Sequence, residues 1–310
     1  MDVVSDAISA VRLGRPSSDR VRVAGSWCTR LAPYEGAGFH VVLAGRCWLL
    51  PDGGEPVALG AGDAVLLPHG TGHVMADAPR DAAQARRAAP FERWAGRGTP
   101  DPENTDGTGT LMLCGKYRLD RTRAHPLLAE LPTVAHFPYD PEGHPELRAA
   151  VDLLSGELDA RRPGAGVALP SLLDLLLVYM VRAWVAGADA GTWPGALNDP
   201  VTAAALRALH ADPAAAWSAD RLAAAAGVSR PTLTRRFGAR VGRSPMAYLT
   251  WWRMSLAAGR LRDTQDTLAT IARHVGYGSP YAFSHAFTRE FGTTPGRYRA
   301  GDPRGAAGRA

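Results

Sequence analysis

The C-terminal third of the chain contains an internal repeat, which constrains the fold more than any other feature of the sequence. The segment 222–248 recurs in altered form as 271–298, and the matched Phe, Gly, Pro and Tyr residues lie 50 positions apart (298 minus 248). The matched residues are Phe237 with Phe287, and Gly242-x-x-Pro245-x-x-Tyr248 with Gly292-x-x-Pro295-x-x-Tyr298. Similarity at a fixed spacing is typical of a supersecondary unit that occurs more than once. The sequence therefore predicts two copies of one small fold in tandem.

Each copy has the pattern of a short helix, a tight turn and a second helix. In the first copy, Ser218 is an N-cap candidate before a run of strong helix formers, and Gly227 ends that run. Ser229 then caps the second helix, in which Leu233 and Phe237 are four residues apart and share a buried face. The equivalent residues of the second copy are Gly276, Ser279, Phe283 and Phe287. Both copies are predicted to be helix-turn-helix units.

The second helix of each copy has polar side chains on its exposed faces. The major groove of DNA admits one helix, whose side chains reach base edges while arginines contact phosphates. The segment 246–262 has helical periodicity and predicts a rigid connection; if it holds the two second helices about one DNA turn (roughly 34 Å) apart, both can enter successive major grooves. The predicted DNA-binding residues are Arg230, Thr232, Thr234, Arg235, Arg236, Tyr281, Ser284, His285 and Arg289.

The distribution of charge agrees with a polyanionic partner. From Asn198 onward the chain has 16 Arg and 7 acidic residues, a balance of +9, whereas the preceding residues have 19 basic and 23 acidic residues, a balance of −4. A basic segment is attracted to nucleic acid through Coulomb forces and counterion release. The predicted partner of the basic end is double-stranded DNA.

The segment 217–299 resembles the DNA-binding domain of AraC/XylS-type regulators. The pattern Gly-Tyr-Gly-Ser…Phe-Ser-x-Ala-Phe…Phe-Gly-x-x-Pro-x-x-Tyr-Arg over residues 276–299 carries this resemblance. It implies contacts to base edges for Thr234, Arg235, Tyr281, Ser284 and His285. Family members often have Glu at the place of Pro280 and Arg or Lys at the place of His285. We therefore expect most of the specificity to come from the first copy.

The residues between Val21 and Phe137 have a different pattern, with short apolar runs separated by Gly and Pro, which predicts a small antiparallel barrel. The segment Gly62-Asp63-x-x-x-x-Pro68-x-Gly70-x-x-His73 is similar to the second conserved motif of cupin barrels. Upstream, His40-Val-Val-Leu-Ala-Gly45 resembles a reduced form of the first cupin motif, without its usual His-x-His pair. A cupin-like sensing barrel is the prediction for this part of the chain.

Cupin enzymes usually hold a metal with three histidines and a carboxylate, so the resemblance implies a possible metal site. The candidate ligands are His40, His69, His73 and Cys114, a mixed set that suits zinc or another divalent metal. Two alternatives remain open: hydrogen-bonded histidines beside a buried thiol, or redox sensing by Cys114 with Cys28 or Cys47 as a partner. A metal-dependent cupin enzyme with an attached DNA-binding module is the alternative function. The missing ligands of the first motif count against it, and we expect no enzymatic activity.

The remaining segments complete the predicted organisation. Residues 76–109 lack periodicity and predict a mobile insertion between strands. Amphipathic helices are predicted at 145–161 and 169–186, and the apolar stripe of the second helix can form either core or a homodimer interface. This stripe consists of Leu172, Leu173, Leu176, Leu177, Met180 and Trp184. The predicted divisions are a cupin-like sensing barrel at 1–140, a helical pairing region at 141–187, a linker at 188–200, the tandem helix-turn-helix domain at 201–300 and a disordered tail at 301–310.

The predicted fold class is two-domain α+β, with an N-terminal cupin-like β-barrel followed by helices and a C-terminal all-α tandem helix-turn-helix domain. The apolar run 172–181 is too short to span a bilayer, and residues 1–22 lack the apolar region of a signal peptide. Three scattered cysteines fit a reducing compartment, so we expect a cytoplasmic protein without membrane contact. The predicted function is a one-component transcription regulator of the AraC type. We expect it to respond to a small-molecule, metal or redox effector, to form a homodimer, and to recruit RNA polymerase as an activator or block it as a repressor.

Overall fold

The computed structural model describes residues 2–91, 109–119, 125–140, 142–160, 162–189 and 192–300. The chain divides into two compact units. The strand-rich unit contains residues 11–187, and the helical unit contains residues 1–10 together with residues 188–310.

The strand-rich unit has ten strands in its described residues, arranged in two sheets. The strands are β1 (Arg12–Val23), β2 (Cys28–Leu31), β3 (Ala37–Ala44), β4 (Arg46–Pro51), β5 (Val57–Gly60), β6 (Ala64–Leu67), β7 (His73–Ala76), β8 (Ala89–Pro90), β9 (Thr110–Leu119) and β10 (Ala135–Phe137). One sheet has the order β1-β9-β3-β6-β10 and the other the order β5-β4-β7-β2-β8. Apart from the pairing of β2 with β8, the strand pairs are antiparallel.

The core of this unit draws apolar side chains from both sheets. Val42 and Met112 come from the first sheet, and Leu49 and Met75 come from the second, and all four are almost completely buried. Burying a side chain of this size contributes roughly 1.5–3 kcal/mol. The predicted barrel is therefore a two-sheet β-sandwich with a shared core.

Glycine residues place the turns of the second cupin-like motif. Gly62 has a φ of +94° and precedes β6, while Gly70 has a φ of +58° and precedes β7, which begins at His73. A side chain on Gly70 would place a Cβ atom 2.0 Å from the carbonyl oxygen of Tyr34. Gly70 thus lets two loops approach closely, and the turn brings His73 into a buried strand.

The predicted mobile insertion at 76–109 is ordered in its first part. Residue 76 ends β7, a short helix α2 (Ala82–Arg86) follows, and β8 then pairs with β2. Asp81 forms a capping box with Gln84 at the start of α2, which fixes this segment locally. Residues 92–108 of the predicted insertion lie outside the described residues.

The strand-rich unit also contains three further helices, α3 (Pro126–Ala129), α4 (Pro145–Ala160) and α5 (Ala165–Ala186). The last two correspond to the predicted amphipathic helices. The stripe proposed as core or dimer interface lies largely inside this unit, since Leu173, Leu176, Leu177 and Met180 are buried. Leu172 and Trp184 are half-buried. Most of the stripe is therefore core, and the exposed apolar side chains of α5 are different ones.

The apolar run 172–181, predicted to be too short for a membrane span, belongs to the longer helix α5. This helix has 22 residues and, by length and composition alone, could cross a membrane. A core helix passes the same criterion, and seven residues of α5 are buried in this structure.

The helical unit consists of helices α1 and α6–α12. They are α1 (Val3–Val11), α6 (Pro200–Ala211), α7 (Ala219–Ala225), α8 (Arg230–Val241), α9 (Pro245–Asp263), α10 (Leu268–His274), α11 (Pro280–Phe291) and α12 (Pro295–Arg299). The two helix-turn-helix units are α7–α8 and α10–α11, with left-handed Gly227 and Gly276 at their turns. The predicted caps Ser218, Ser229 and Ser279 all accept hydrogen bonds from backbone amides of the helices that they begin.

The first segment of the chain and the predicted linker both belong to the helical unit. Helix α1 clusters with this unit although it was assigned to the sensing barrel from the sequence. The predicted linker 188–200 includes a buried 3-10 helix at Pro194–Leu197, preceded by the buried Trp193. Much of the segment after residue 192 is therefore packed structure, and the division between units falls at residue 187.

Candidate DNA interface and sensory cavity

Helix α8 presents one buried face and one exposed polar face. Leu233 and Phe237 are fully buried, whereas Thr234 and Arg235 are exposed. Pro231 occupies the first turn, where a missing N–H costs nothing because that amide has no partner within the helix. The predicted division between buried and exposed residues is therefore present in the first helix-turn-helix unit.

The arginines of α8 differ in their local partners. Arg230 lies 3.4 Å from a carboxylate oxygen of Asp220, and Arg236 lies 3.6 Å from a carboxylate oxygen of Asp199. Within the described part of the chain, Arg235 forms neither an ion pair nor a hydrogen bond. Its guanidinium group is therefore the one of these three that is available to a ligand without breaking an intramolecular pair.

Helix α11 has the same division, with fewer basic groups. Phe283 and Phe287 are buried, while His285 is exposed and 83% of the surface of Tyr281 is accessible. The other predicted contact residues of this helix are Ser284, which is half-buried, and Arg289, which is exposed. The second unit thus offers a tyrosine and a histidine where the first offers arginines.

Helix α9 connects the two helix-turn-helix units and contributes to the cores of both. Tyr248, near its start, packs edge-on against Phe237 of α8, with ring centroids 5.7 Å apart. Its later residues Met254 and Leu261 belong to the core that also contains Phe287. A single helix anchored in both cores fixes the separation of the two recognition helices.

Arg253 of α9 connects the segment that precedes α7 with the turn of the second helix-turn-helix unit. It donates hydrogen bonds from Nε to the carbonyl oxygen of Pro213 at 2.7 Å and from Nη2 to that of Ala215 at 2.8 Å. Its guanidinium carbon also lies 5.9 Å from the ring centroid of Tyr277, in the second unit. Arg253 was not identified from the sequence, where only its position in a helical stripe was apparent.

The strand-rich unit contains a cavity of about 260 Å³ between its sheets. Its polar lining includes His40 of β3, His73 of β7, and Cys114 and Lys116 of β9, together with Tyr34 from the loop between β2 and β3. The apolar lining is Leu31, Ala32, Pro33 and Phe91. A volume of this size would hold a small organic molecule, and the lining combines apolar walls with a few polar groups, as is usual for ligand sites.

A chain of buried hydrogen bonds forms one wall of the cavity. His73 Nδ1 lies 3.1 Å from the carbonyl oxygen of Thr71, and His73 Nε2 lies 2.7 Å from His40 Nε2. His40 Nδ1 lies 3.0 Å from the Sγ atom of Cys114. We call this arrangement the histidine–thiol chain.

The donor of each hydrogen bond in the histidine–thiol chain can be assigned by starting from the carbonyl oxygen of Thr71. A carbonyl oxygen only accepts, so His73 Nδ1–H donates to Thr71, which leaves His73 Nε2 as an acceptor when the ring is neutral. His40 Nε2–H then donates to His73, and the thiol of Cys114 donates to His40 Nδ1. Each of these polar atoms has a partner without any formal charge.

Burial favours this neutral state. It lowers the pKa of His73 to about 4. Burial and the neighbouring His73 also lower the pKa of His40 well below its ordinary value. Burial raises the pKa of the Cys114 thiol above its usual range. At neutral pH the histidine–thiol chain therefore consists of two neutral imidazoles and a protonated thiol.

The predicted four-residue metal set does not fit this geometry. Two nitrogen ligands of tetrahedral zinc lie about 3.4 Å apart when each Zn–N bond is about 2.1 Å, whereas the Nε2 atoms of His40 and His73 are 2.7 Å apart. Cys114 lies at the opposite nitrogen of the His40 ring. His69 instead contacts the carbonyl oxygen of Leu131, at 2.7 Å. In the described residues, no group of three or more potential ligands is placed to hold a metal.

The cysteines are all free thiols in the described residues. Burial raises the pKa of Cys47 to about 12, and its Sγ atom contacts the sulfur of Met112 at 3.7 Å. Burial also raises the pKa of Cys28. A reactive thiolate needs a lowered pKa, so this conformation does not contain the activated Cys114 that the redox hypothesis requires.

Two cavity residues were not identified from the sequence. The Tyr34 hydroxyl is buried and has no hydrogen-bond partner within the described residues, and no sequence signal pointed to it. Lys116 is the only lysine of the chain. It lies two positions after Cys114 in β9, and because side chains alternate along a strand, the two residues face the same side of the sheet. That alternation could have revealed Lys116.

Known protein families match both the strand-rich and the helical unit. A family profile described as Cupin matches residues 2–186, and one described as Helix-turn-helix domain matches residues 222–301. A relative from Streptomyces lividans, described as an AraC-like transcription regulator, is 35% identical and covers 96% of this chain and 98% of its own. The HTH-type transcriptional regulator AlkR from Acinetobacter baylyi is 29% identical and covers 96% of this chain and 99% of its own.

A solved structure is similar to the C-terminal part of the chain. The DNA-binding domain of AdpA, described as the global transcriptional factor in complex with a target DNA, is 31% identical and covers 33% of this chain and 92% of that chain, with a TM-score of 0.32. The full-length relatives are transcription regulators rather than enzymes. The chain belongs to the AraC family of transcription regulators, with an N-terminal cupin unit and a C-terminal helix-turn-helix unit that binds DNA.

Proposed function

We propose that this regulator is a one-component switch, in which the strand-rich unit binds a small organic effector in its cavity and the helical unit binds a promoter. Such a protein acts in the cytoplasm, where it recruits or blocks RNA polymerase. The observation that carries the proposal is the cavity itself. It contains a buried Tyr34 hydroxyl that has no partner within the described residues, beside a histidine–thiol chain whose own hydrogen bonds are complete. An effector with a hydrogen-bonding group would satisfy the hydroxyl.

Replacing Tyr34 with phenylalanine tests the cavity. Removing a buried hydroxyl that has no partner relieves its desolvation cost, so Tyr34→Phe is expected to stabilise the ligand-free strand-rich unit by about 1 kcal/mol. Urea unfolding measures this change. The matched control is Tyr117→Phe, because the Tyr117 hydroxyl is also buried but donates to the carbonyl oxygen of Leu173 at 2.7 Å. The free energy of unfolding of Tyr117→Phe is expected to be about 1 kcal/mol lower than that of the wild type.

The same pair of variants tests binding. Compounds of cavity size that raise the unfolding temperature of the wild type stabilise it by mass action. Compounds that use the Tyr34 hydroxyl should lose this effect in Tyr34→Phe and keep it in Tyr117→Phe. A Tyr34→Phe variant less stable than the wild type would contradict an unsatisfied hydroxyl. A screen in which every stabilising compound acts equally on both variants would contradict the assigned site.

For the helical unit, we propose that Arg235 reads a base edge and that Arg236 has a mainly structural role. Arg235 is exposed and without an acidic partner in the described residues, whereas Arg236 faces Asp199. A bidentate arginine contact to a base is worth about 1–3 kcal/mol of discrimination. Arg235→Ala is therefore expected to relax sequence preference at one position of the operator half that α8 reads. Selection of bound DNA from a random pool, followed by affinity measurements at fixed salt, gives the preference.

Arg236→Ala is the matched control for Arg235→Ala, because it removes the same charge from the next position of α8. We expect it to weaken binding to all sequences similarly and to leave the selected sequence unchanged. The remaining predicted contacts, from Arg230, Thr232, Thr234, Tyr281, Ser284, His285 and Arg289, are proposed on the same grounds of position. An unchanged selected sequence for Arg235→Ala would contradict its base-reading role.

We also propose that two copies pair through the exposed side of α5. Val167 and Leu175 are 74% and 44% exposed and lie eight positions apart, so they share a helix face, and Leu153 of α4 is 60% exposed. An isologous dimer places the same helix against itself, so exposed apolar side chains on one face of α5 would be covered by the same face of a second copy. A second copy of the chain is the partner that we propose for this exposed face of α5.

Leu175→Glu is expected to convert the dimer to a monomer at micromolar concentration, because it buries two carboxylates near one another in a symmetric interface. Sedimentation measures the mass. The control is Ala58→Glu, which adds the same charge at an exposed strand position of the same unit. A dimer that survives Leu175→Glu, or a wild-type chain that sediments as a monomer, would contradict this interface.

A further inference from the structure

Helix α1 is bound to the helical unit by a buried polar contact between residues that are far apart in sequence. Asp6 of α1 accepts a hydrogen bond from Nδ1 of His210 in α6, with Oδ2 and Nδ1 2.7 Å apart. The His210 side chain is completely buried, and the Asp6 side chain is 5% exposed. Val3, Ala7 and Ile8 of α1 are buried as well. This helix is therefore an integral element of the DNA-binding unit, although it comes from the other end of the chain.

The contact continues from His210 to the back of the first recognition helix. His210 Nε2 lies 2.8 Å from the hydroxyl oxygen of Tyr248, and the His210 ring stacks on Trp252 with centroids 4.5 Å apart. Tyr248 in turn packs edge-on against Phe237 of α8. A connected path of buried contacts therefore runs from Asp6 to the recognition helix.

The position of α1 leaves the DNA-facing side of α8 open. Thr234 and Arg235 are exposed in a structure in which α1 is docked. The path from Asp6 instead reaches Phe237, on the buried face of α8. A docked α1 therefore supports α8 from the buried face of α8. Loss of α1 would weaken DNA binding by α8, because α1 does not cover the exposed face of α8.

The same helix leads directly into the strand-rich unit. Helix α1 ends at Val11 and β1 begins at Arg12, with no residue between them. β1 contributes Ser17 and Asp19 to the lining of the cavity. β1 is therefore joined to α1 by continuous backbone without an intervening loop.

We propose that α1 is a detachable latch, whose docking through Asp6 and His210 holds the first recognition helix in its DNA-reading position. Release of the latch lowers the affinity of the first helix-turn-helix unit and leaves the second unaffected. That β1 passes the effector signal to α1 rests on the proposed sensory function of the cavity. The docking role of Asp6 does not depend on the sensory function of the cavity, because the contact between Asp6 and His210 is made without any effector.

The test compares full-length variants without added effector, using the operator obtained by DNA selection. Asp6→Ala removes the acceptor of His210 and is expected to lose hydrogen-exchange protection in α1. We expect it to weaken operator binding about tenfold, with footprint protection lost mainly in the half read by α8. Asp6→Asn keeps an acceptor oxygen for Nδ1–H and should bind within about twofold of the wild type. Ser9→Ala, at an exposed position of α1, should have no effect.

Two results would overturn the latch. One is an Asp6→Ala protein in which α1 loses protection while both operator halves are bound as in the wild type. The other is an equal loss in both halves while α10 and α11 remain protected. If Asp6→Ala does not fold, Ile8→Ala loosens the same helix without exposing a buried polar group, and the same half-selective loss is expected in a milder form. Failure of the effector screen would leave these results unchanged, so the two proposals can fail separately.

Discussion

Phe237→Ala is expected to destabilise the helical unit by about 3–5 kcal/mol, the usual cost of truncating a buried phenylalanine. The ring is fully buried and packs edge-on against Tyr248 of α9. Its removal leaves a cavity behind α8, where relaxation is limited because Tyr248 is also held by His210. Urea unfolding of the full chain, followed by hydrogen exchange of each helix, measures the effect.

Phe287→Ala is the matched variant in the second copy of the repeat. That ring is also fully buried, with Phe291 and Tyr298 at centroid distances of 4.6 Å and 5.3 Å. We expect a similar loss of stability but the opposite pattern of exchange. Phe237→Ala should expose α7 and α8 first, and Phe287→Ala should expose α10 and α11 first. Identical exchange patterns would show that the two copies unfold as one unit and would contradict two locally independent cores.

The repeat was recognisable in the sequence because helix-turn-helix units depend on local signals. Gly227 and Gly276 have φ values of +69° and +78° at the two turns, and Ser229 and Ser279 cap the helices that follow. Turn glycines, caps and buried apolar pairs spaced four apart lie within one short stretch of chain. Such patterns can be read without knowing any distant contact.

Contacts between distant parts of the chain could not be predicted from the sequence in the same way. The sequence identified His40, His73 and Cys114 as a group, but it could not show that Cys114 lies at the opposite ring nitrogen of His40 from His73. That geometry depends on the register of β3 with β9 and on the approach of β7 from the other sheet. A list of suitable ligand types therefore could not separate a metal site from the alternative that the sequence also left open, hydrogen-bonded histidines beside a buried thiol, which is the arrangement in this structure.

The position of α1 had no sequence signal either. Asp6 and His210 are separated by 204 positions, and neither belongs to a recognisable motif. Residues 1–10 were included in the sensing barrel on sequence grounds, and no helix was predicted there. Buried polar pairing and apolar contacts place it with the DNA-binding unit instead.

The neutral histidines make the stability of the strand-rich unit depend on pH. The pKa of His73 is about 4 in the folded state and about 6.5 in an unfolded chain. The unfolded state therefore binds more protons between these values, and stability falls as the pH drops from 6.5 towards 4. The difference corresponds to a loss of about 3 kcal/mol from His73 alone. The lowered pKa of His40 acts in the same direction.

Urea unfolding of the strand-rich unit at pH 7 and pH 4.5, with hydrogen exchange to locate the loss, measures this dependence. His73→Gln keeps an acceptor for His40 Nε2–H but cannot titrate, so the loss between the two pH values is expected to shrink by about 2–3 kcal/mol. The strands that carry the pair, β3 and β7, should lose protection first in the wild type. An equally steep pH dependence in His73→Gln would mean that His73 is not held neutral by burial. The two histidines would then have to exchange protons with water, and the cavity wall that they form would be a polar, hydrated surface, which does not suit the organic effector proposed for the cavity.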